Sequence, residues 1–251
     1  MVDLYIETLH VHTREGSYLN EWAKSFDERL EEIRAAKNVF DNIRVGLSDK
    51  IYRFEDTDKK LALIQKFREK SRELHENLSF GFEPCVFLPL EKRYVEILAL
   101  DIKDMSYWSK RPKTVEDACE LTEKSDGMLV LPHLFYIDSL GESGLQHILE
   151  LGYDPLIEIN FQLQRLPFVN KRVAQIAQKY RLKKVCGLDG YEEGILRAFN
   201  YHSEQSLENA IEKGTLKFYF SSISPFETVE KSFRTLVSDF KSRVLRQKGT
   251  Y

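Results

Sequence analysis

Two histidines stand two residues apart, His10 and His12 in LHVHT (9–13), at the end of an apolar run of strand length. Side chains alternate along a strand, so this spacing puts both imidazoles on one face, where they can chelate one cation. An isolated HxH pair serves equally well as a histidine satisfied by backbone. Further ligand types, however, recur at the ends of later apolar runs: Asp49 after VGLS, Glu83 in GFEP, His133 in VLPH, Glu158 and Asn160 in IEIN, and Asp189 in CGLDGY. A buried carboxylate without a partner costs several kcal/mol or shifts its pKa until it is neutral. Core packing therefore accounts poorly for such a set, whereas cation binding accounts for it well. Imidazole mixed with carboxylate suits Zn, Mn or Fe and does not choose among them.

The elements that must position these residues follow from hydropathy. Apolar runs of strand length alternate with amphipathic segments of helix length, the pattern of an α/β fold. Strands are expected from Leu4 to Val11, Ile43 to Ser48, Leu78 to Leu88, Tyr94 to Leu100, Met128 to His133, Leu156 to Asn160, Lys184 to Leu188 and Leu216 to Ser221. Helices are expected near 20–38, 57–77, 114–124, 142–151, 170–180, 204–213 and 225–246. Thr114 with Asp117 reads as a capping box, Gly152 and Gly214 as helix stops, and Ser224 with Pro225 as an N-cap followed by proline. Only Pro89 to Arg93 separate the third and fourth strands, too few residues for a helical crossover, so these two form a hairpin. Eight strands with one antiparallel connection predict a distorted barrel; an open doubly wound sheet is the alternative. No glycine-rich phosphate loop follows any strand, which weakens the nucleotide-binding form of that alternative. In barrel enzymes, functional side chains come from the C-terminal ends of several strands, where the ligand types above recur.

Composition narrows the function classes. The 251 residues carry 37 Lys plus Arg against 40 Asp plus Glu, a balance that argues against nucleic-acid binding through bulk charge. No window approaches the roughly 18 apolar residues of a membrane helix, so no membrane partner is expected. The start, MVDLYIETLH, lacks the pattern of a secretory signal, and the 3 cysteines are widely spaced; both point to a reducing cytoplasm. We expect one domain over 1–251. His75, His147 and His202 lie on or beside helices, away from the strand ends. Cys85, Cys119 and Cys186 have no CxxC spacing and read as small buried residues, with Cys85 close enough to Glu83 to be an extra ligand. Arg14 and Arg165 follow strand ends, where each either grips phosphate oxygens or forms a surface salt bridge.

At these residues the chain resembles the polymerase and histidinol phosphatase (PHP) family of metal-dependent phosphoesterases. LHVHT (9–13) is similar to the family's opening HxH motif, and VGLSDK (45–50) to a second motif that normally ends in Asp-His. GFE (81–83) is similar to the third motif, whose Glu bridges metals. VEILAL (95–100) stands where a His is usual and offers Glu96, LPH (131–133) resembles the later His motif, and GLDGY (187–191) the closing Asp-x-His, with Tyr191 in place of the His. The resemblance implies a distorted (β/α)7 barrel of TIM-barrel-like, PHP type, so that one of the eight strands is peripheral. It implies a first metal on His10, His12, Glu83 and Asp189, and a second on Glu83, Glu96 and His133. The third metal of the family relies on histidines that are Lys50 and Tyr191 here, and on another in the loop that reads REGSYLN. The departures fall mainly on that one metal.

The resulting expectation is a hydrolase that cleaves a phosphate monoester or diester with a metal-bound hydroxide at a centre of two divalent cations. Such a pair lowers the pKa of a bridging water and stabilises charge on phosphoryl oxygens. The substrate is expected to be a phosphorylated small molecule or a nucleotide-like one. Lys50 is expected to replace the missing third cation by directing its ammonium at the substrate phosphate, with the hydroxyl of Tyr191 and the guanidinium of Arg165 on the same oxygens; otherwise Lys50 pairs with Asp49 or a nearby carboxylate such as Glu55. The alternative, motivated by Lys50, Glu96 and Tyr191 at ligand positions, is a non-catalytic PHP barrel that binds a ligand or serves as a scaffold.

Overall fold

The computed structural model describes residues 4–16, 23–51, 57–136 and 138–222, without the side chains of Arg165 and Pro167. By internal contacts the chain divides into Met1–Phe220 and Ser221–Tyr251. The helix expected over 225–246, with its Ser224–Pro225 start, lies outside the described residues.

Ten strands are described: β1 (Tyr5–Val11), β2 (Asn42–Ile51), β3 (Leu78–Leu88), β4 (Arg93–Glu96), β5 (Leu98–Leu100), β6 (Met128–Leu131), β7 (Leu156–Asn160), β8 (Lys184–Gly190), β9 (Ala198–His202) and β10 (Lys217–Phe220). Strands β1, β2, β3, β5, β6, β7 and β8 follow one another in that order, and β8 pairs back with β1. This is the closed seven-stranded barrel that the family resemblance implies. Six of its strands are mutually parallel, while β5 runs antiparallel to β3 and β6. The run expected from Tyr94 to Leu100 is divided between β4, the hairpin partner of the outer part of β3, and β5, which enters the barrel wall. The peripheral strand expected among the eight is β10. Among the described residues it pairs only with β9, and β9 lies antiparallel along the N-terminal half of β1.

Helices α1 (Phe26–Lys37), α2 (Thr57–Lys70), α3 (Val115–Lys124), α4 (Gly141–Glu150), α5 (Pro167–Tyr180) and α6 (Leu207–Lys213) connect the strands. Their ends obey local chemistry. The side chain of Thr114 accepts from the Asp117 N–H while the Asp117 carboxylate accepts from the Thr114 N–H, the reciprocal box expected from sequence; Ser25 and Glu28 repeat it at α1. Gly214 closes α6 with φ +67°, a conformation that costs glycine nothing. In α1 the buried positions Phe26, Arg29, Leu30, Ile33 and Ala36 recur at helical spacing, with Arg29 the charged residue among them. The expected helix over 57–77 stops at Lys70 and continues as a tighter 3-10 stretch over Arg72–Asn77.

The core is apolar on both sides of the barrel wall. Val86, Leu88, Val95, Val115, Leu131, Leu145, Ile157 and Val173 form one cluster between strands and α3, α4 and α5, and Leu9, Leu98, Leu100, Val130 and Val185 form a second. Burial of side chains this size stabilises by about 1.5–3 kcal/mol each. No described helix is long and apolar enough to cross a membrane.

Candidate metal centre

The ligand residues converge at the mouth because of the parallel register. Lys50 and Glu83 are partners on adjacent strands β2 and β3. Glu158 sits in β7, Asp189 near the end of β8, and His133 just past β6. Because β5 is reversed, the residue at its mouth side precedes it, and that places Glu96, the last residue of β4, beside the others.

His10 and His12 meet by a route other than simple alternation. Between Thr8 and Val11 strand β1 advances three residues while β2 advances two, from Val45 to Leu47, so β1 carries a bulge there. His10 has φ +59°. Asp189 (φ +47°) and His133 (φ +31°) are also left-handed, an uncommon state for residues with a Cβ and one that clusters where function imposes it. The two imidazoles end edge to face with centroids 4.9 Å apart.

Two ligand triads result, His10 with His12 and Asp189, and Glu83 with Glu96 and His133; within each, one ligand atom per residue lies within 4.8 Å of the others. Glu83 joins them. Its Oε1 is 3.2 Å from His10 Nε2 and 3.2 Å from His133 Nε2, and its Oε2 is 3.4 Å from His12 Nε2. Asp189 Oδ1 lies 3.7 Å from His10 Nε2 and 3.4 Å from His12 Nε2, and Glu96 Oε2 lies 3.4 Å from His133 Nε2.

The donor set fits a divalent cation. His10 Nδ1 donates to Glu158 Oε1 at 2.6 Å and His12 Nδ1 donates to the Ser48 carbonyl at 2.6 Å. With Nδ1 committed as donor, each ring turns its Nε2 lone pair inward, the arrangement by which proteins orient metal-ligating histidines. Both Nε2 atoms are buried without a hydrogen-bond partner, facing carboxylate oxygens. Lone pairs set against anionic oxygens in a buried space are stabilised by positive charge between them, a proton or a metal cation.

The electrostatics report the same demand. Burial alone would lower the His10 pKa, but the carboxylates of Glu158, Glu83 and Asp189 raise it well above the ordinary value. Burial is likewise overcome at His133 by Glu83 and Glu96, which raise it to about 10. His12 goes the other way, lowered chiefly by burial. Glu83 is held well below the carboxylate range in spite of burial, through Lys50 and His10, and Asp189 is lowered through His10 and His12. The pocket thus selects positive charge.

A supporting shell fixes the ligands. Glu158 Oε2 accepts the His133 backbone N–H at 2.9 Å and the Asn160 amide at 2.8 Å, while its Oε1 holds His10. Asn160 therefore serves as support. Arg29 is fully buried and donates to the carbonyls of Glu193 (2.6 Å), Gly190 (2.8 Å) and Tyr191 (2.7 Å), tying α1 to the loop that follows Asp189. Its sequence context, FDERLEEIRAAK, is uniformly charge-rich, and only its place on the apolar face of α1 marks it out.

The other sequence candidates fall as follows. Lys50 Nζ is 2.6 Å from Glu96 Oε1 and 3.0 Å from Glu83 Oε2. The Tyr191 ring stacks on His12 with centroids 4.4 Å apart. Arg165 closes a 3-10 turn after β7 (Gln162–Arg165), and its side chain is outside the described residues. Arg14 forms a surface pair with Glu28 at 3.2 Å. Away from the mouth, His147 pairs with Glu116, His202 stacks on Tyr5, and His75 is exposed beside Glu76. Burial pushes the Cys119 thiol up to about 12 and Cys186 well above its usual value, so neither is a nucleophile near neutral pH. Cys85 pairs across the hairpin with Glu96.

No protein-family model matches the sequence, and no curated protein matches it. Solved structures do. A two-domain protein from Bacteroides vulgatus that contains a predicted PHP-like metal-dependent phosphoesterase superimposes over 92% of this chain and 69% of its own, with a TM-score of 0.59 and 13% identity. PsfC from Pseudomonas syringae superimposes over 97% of this chain and 99% of its own, with a TM-score of 0.56 and 12% identity. The closed seven-stranded barrel matches these structures, and the chain has a PHP-like fold.

Proposed function

We propose that this chain is a metal-dependent hydrolase of phosphate esters, acting on a phosphorylated small molecule or a nucleotide-like substrate. The observation that supports it most is the pair of triads joined by Glu83, with the Nε2 atoms of His10 and His12 buried and unpartnered at the mouth of a PHP-like barrel. His10, His12, Glu83 and Asp189 would hold a divalent cation of the Zn, Mn or Fe type, and Glu83, Glu96 and His133 offer a second place. A cation there supplies a nucleophile from water near neutral pH and draws charge from the phosphoryl oxygens. The chain's own residues orient the site. Glu158 and the Ser48 carbonyl hold the two imidazoles, and Asn160 holds Glu158. The Tyr191 hydroxyl and the Arg165 guanidinium are assigned to the phosphoryl oxygens of the substrate, as is the positive charge of Lys50.

The test is release of phosphate or nitrophenol from monoesters, diesters and nucleotides by protein reconstituted in turn with Zn, Mn and Fe. Metal-dependent release that is lost in His12→Ala and Asp189→Ala supports the proposal. Folded, metal-loaded protein that is inert on all three classes contradicts it and favours the second reading, a binding or scaffold barrel. The lysine held among the ligands is the observation in favour of that second reading.

A further inference from the structure

We propose that Lys50 is a built-in cation that occupies the second metal's place, so that the centre binds one divalent ion tightly and the ammonium takes the position of the other. This rests on the metal-centre reading above. Sequence motifs align Lys50 with a ligand of the third metal, but its ammonium lies against the carboxylates of the second: 2.6 Å from Glu96 Oε1 and 3.0 Å from Glu83 Oε2. Those two residues, with His133, make up one of the two triads.

Three features make the lysine a resident of that place. Its backbone is pinned opposite Glu83 in the β2–β3 register, so the side chains of Lys50 and Glu83 extend from neighbouring positions of adjacent strands. The group is sheltered, with the Lys50 side chain 13% exposed, Glu96 15% and Glu83 fully buried. Both contacts are charge-assisted and short, the strong kind of hydrogen bond. A divalent ion entering the Glu83–Glu96–His133 triad must take these oxygens from the ammonium and then sit beside a like charge in a poorly solvated space. The ion pairs described for Lys50 go to Glu96 and Glu83, and the Glu83 oxygen it touches also faces His12 Nε2 at 3.4 Å, so the ammonium sits at the edge of the first triad and against two members of the second. A fixed ammonium in the second place still presents positive charge next to the first cation, where an anionic ester would bind, and it needs no metal ligands of its own.

The experiment is metal stoichiometry. Full-length protein is stripped with chelator, reloaded with Zn2+ or Mn2+, passed through a desalting column and assayed by elemental mass spectrometry. Wild type should retain about one equivalent, and Lys50→Met, which keeps the stem and loses the charge, about two. Glu96→Ala supplies an independent reading in a chain that keeps Lys50. It should leave the wild-type equivalent in place, whereas a second resident metal held by Glu96 would be lost. Two equivalents in wild type, falling in Glu96→Ala, overturn the inference while leaving the metal centre standing. One equivalent in both wild type and folded Lys50→Met overturns it as well. No retained metal in any of the proteins overturns the metal-centre reading itself, and the inference with it.

Discussion

Glu158 supports three groups at once, and its replacement gives a graded prediction. Its carboxylate accepts from His10 Nδ1 (2.6 Å), the His133 N–H (2.9 Å) and Asn160 Nδ2 (2.8 Å), and it is 1% exposed. Glu158→Ala removes the acceptor of three buried donors, of which only the Asn160 amide keeps another, Asp189 Oδ2 at 3.4 Å. At about 1–3 kcal/mol each, with partial relaxation, the expected loss of stability is about 3–5 kcal/mol. Glu158→Gln keeps the shape but replaces one acceptor oxygen by an NH2, so at least one donor faces another donor; the expected loss is about 1–3 kcal/mol. In both variants the His10 ring loses the partner that turns its Nε2 inward, and metal affinity should fall by about 10- to 100-fold. Urea unfolding of the metal-free proteins measures the first quantity, and competition with a chromogenic chelator the second. Stability and metal affinity both unchanged in Glu158→Gln would refute the claim that Glu158 orients His10.

Other consequences are separable. A Cβ on Gly187 would stand 1.6 Å from Glu158 Oε1, so Gly187→Ala should reproduce the metal-affinity loss of Glu158→Gln without touching a ligand, measured by the same competition. Arg29→Met strips donors from the carbonyls of Gly190, Tyr191 and Glu193; at about 3–5 kcal/mol this should lower the melting temperature by roughly 10 °C, and an unchanged melt would show that the buried guanidinium is dispensable. Glu7 lies at the start of β1, where burial, opposed by Arg44, raises its carboxyl from 4.5 to about 7. A carboxyl whose folded pKa is raised contributes stability below the unfolded value and loses it as pH climbs towards the folded one. Wild type should therefore lose about 3 kcal/mol between roughly pH 4.5 and 7 from this group, and Glu7→Gln should not. Parallel pH profiles of melting temperature for the two proteins would contradict it.

The residues that the fold gathers into the two candidate triads were legible in the sequence, His10, His12, Glu83, His133 and Asp189 because they stand where apolar runs end and Glu96 through the family resemblance, and the barrel was legible because those runs alternate with amphipathic segments. What escaped was governed by tertiary context. The bulge at His10 and the left-handed backbones of His133 and Asp189 leave no compositional trace. Strand β9, AFNYH, is short and carries Asn200 at its centre, which reads as loop; in the fold that amide bonds Cys186 N and O and the Glu7 carbonyl, bridging strands as a ladder residue would. Hydropathy ended the second strand at Ser48, where β2 runs on to Ile51. Those added residues bring Lys50 into register with Glu83, and so into contact with the second triad.

The central claim is that His10, His12, Asp189 and Glu83 hold a divalent cation at the barrel mouth. Anomalous diffraction from crystals grown with Zn2+ or Mn2+, recorded on both sides of the metal's absorption edge, tests it most directly. A peak bounded by His10 Nε2, His12 Nε2 and the carboxylates of Asp189 and Glu83 is the result predicted. Well-ordered imidazoles with no anomalous peak between them, at metal concentrations that saturate ordinary histidine–carboxylate sites, would contradict the account.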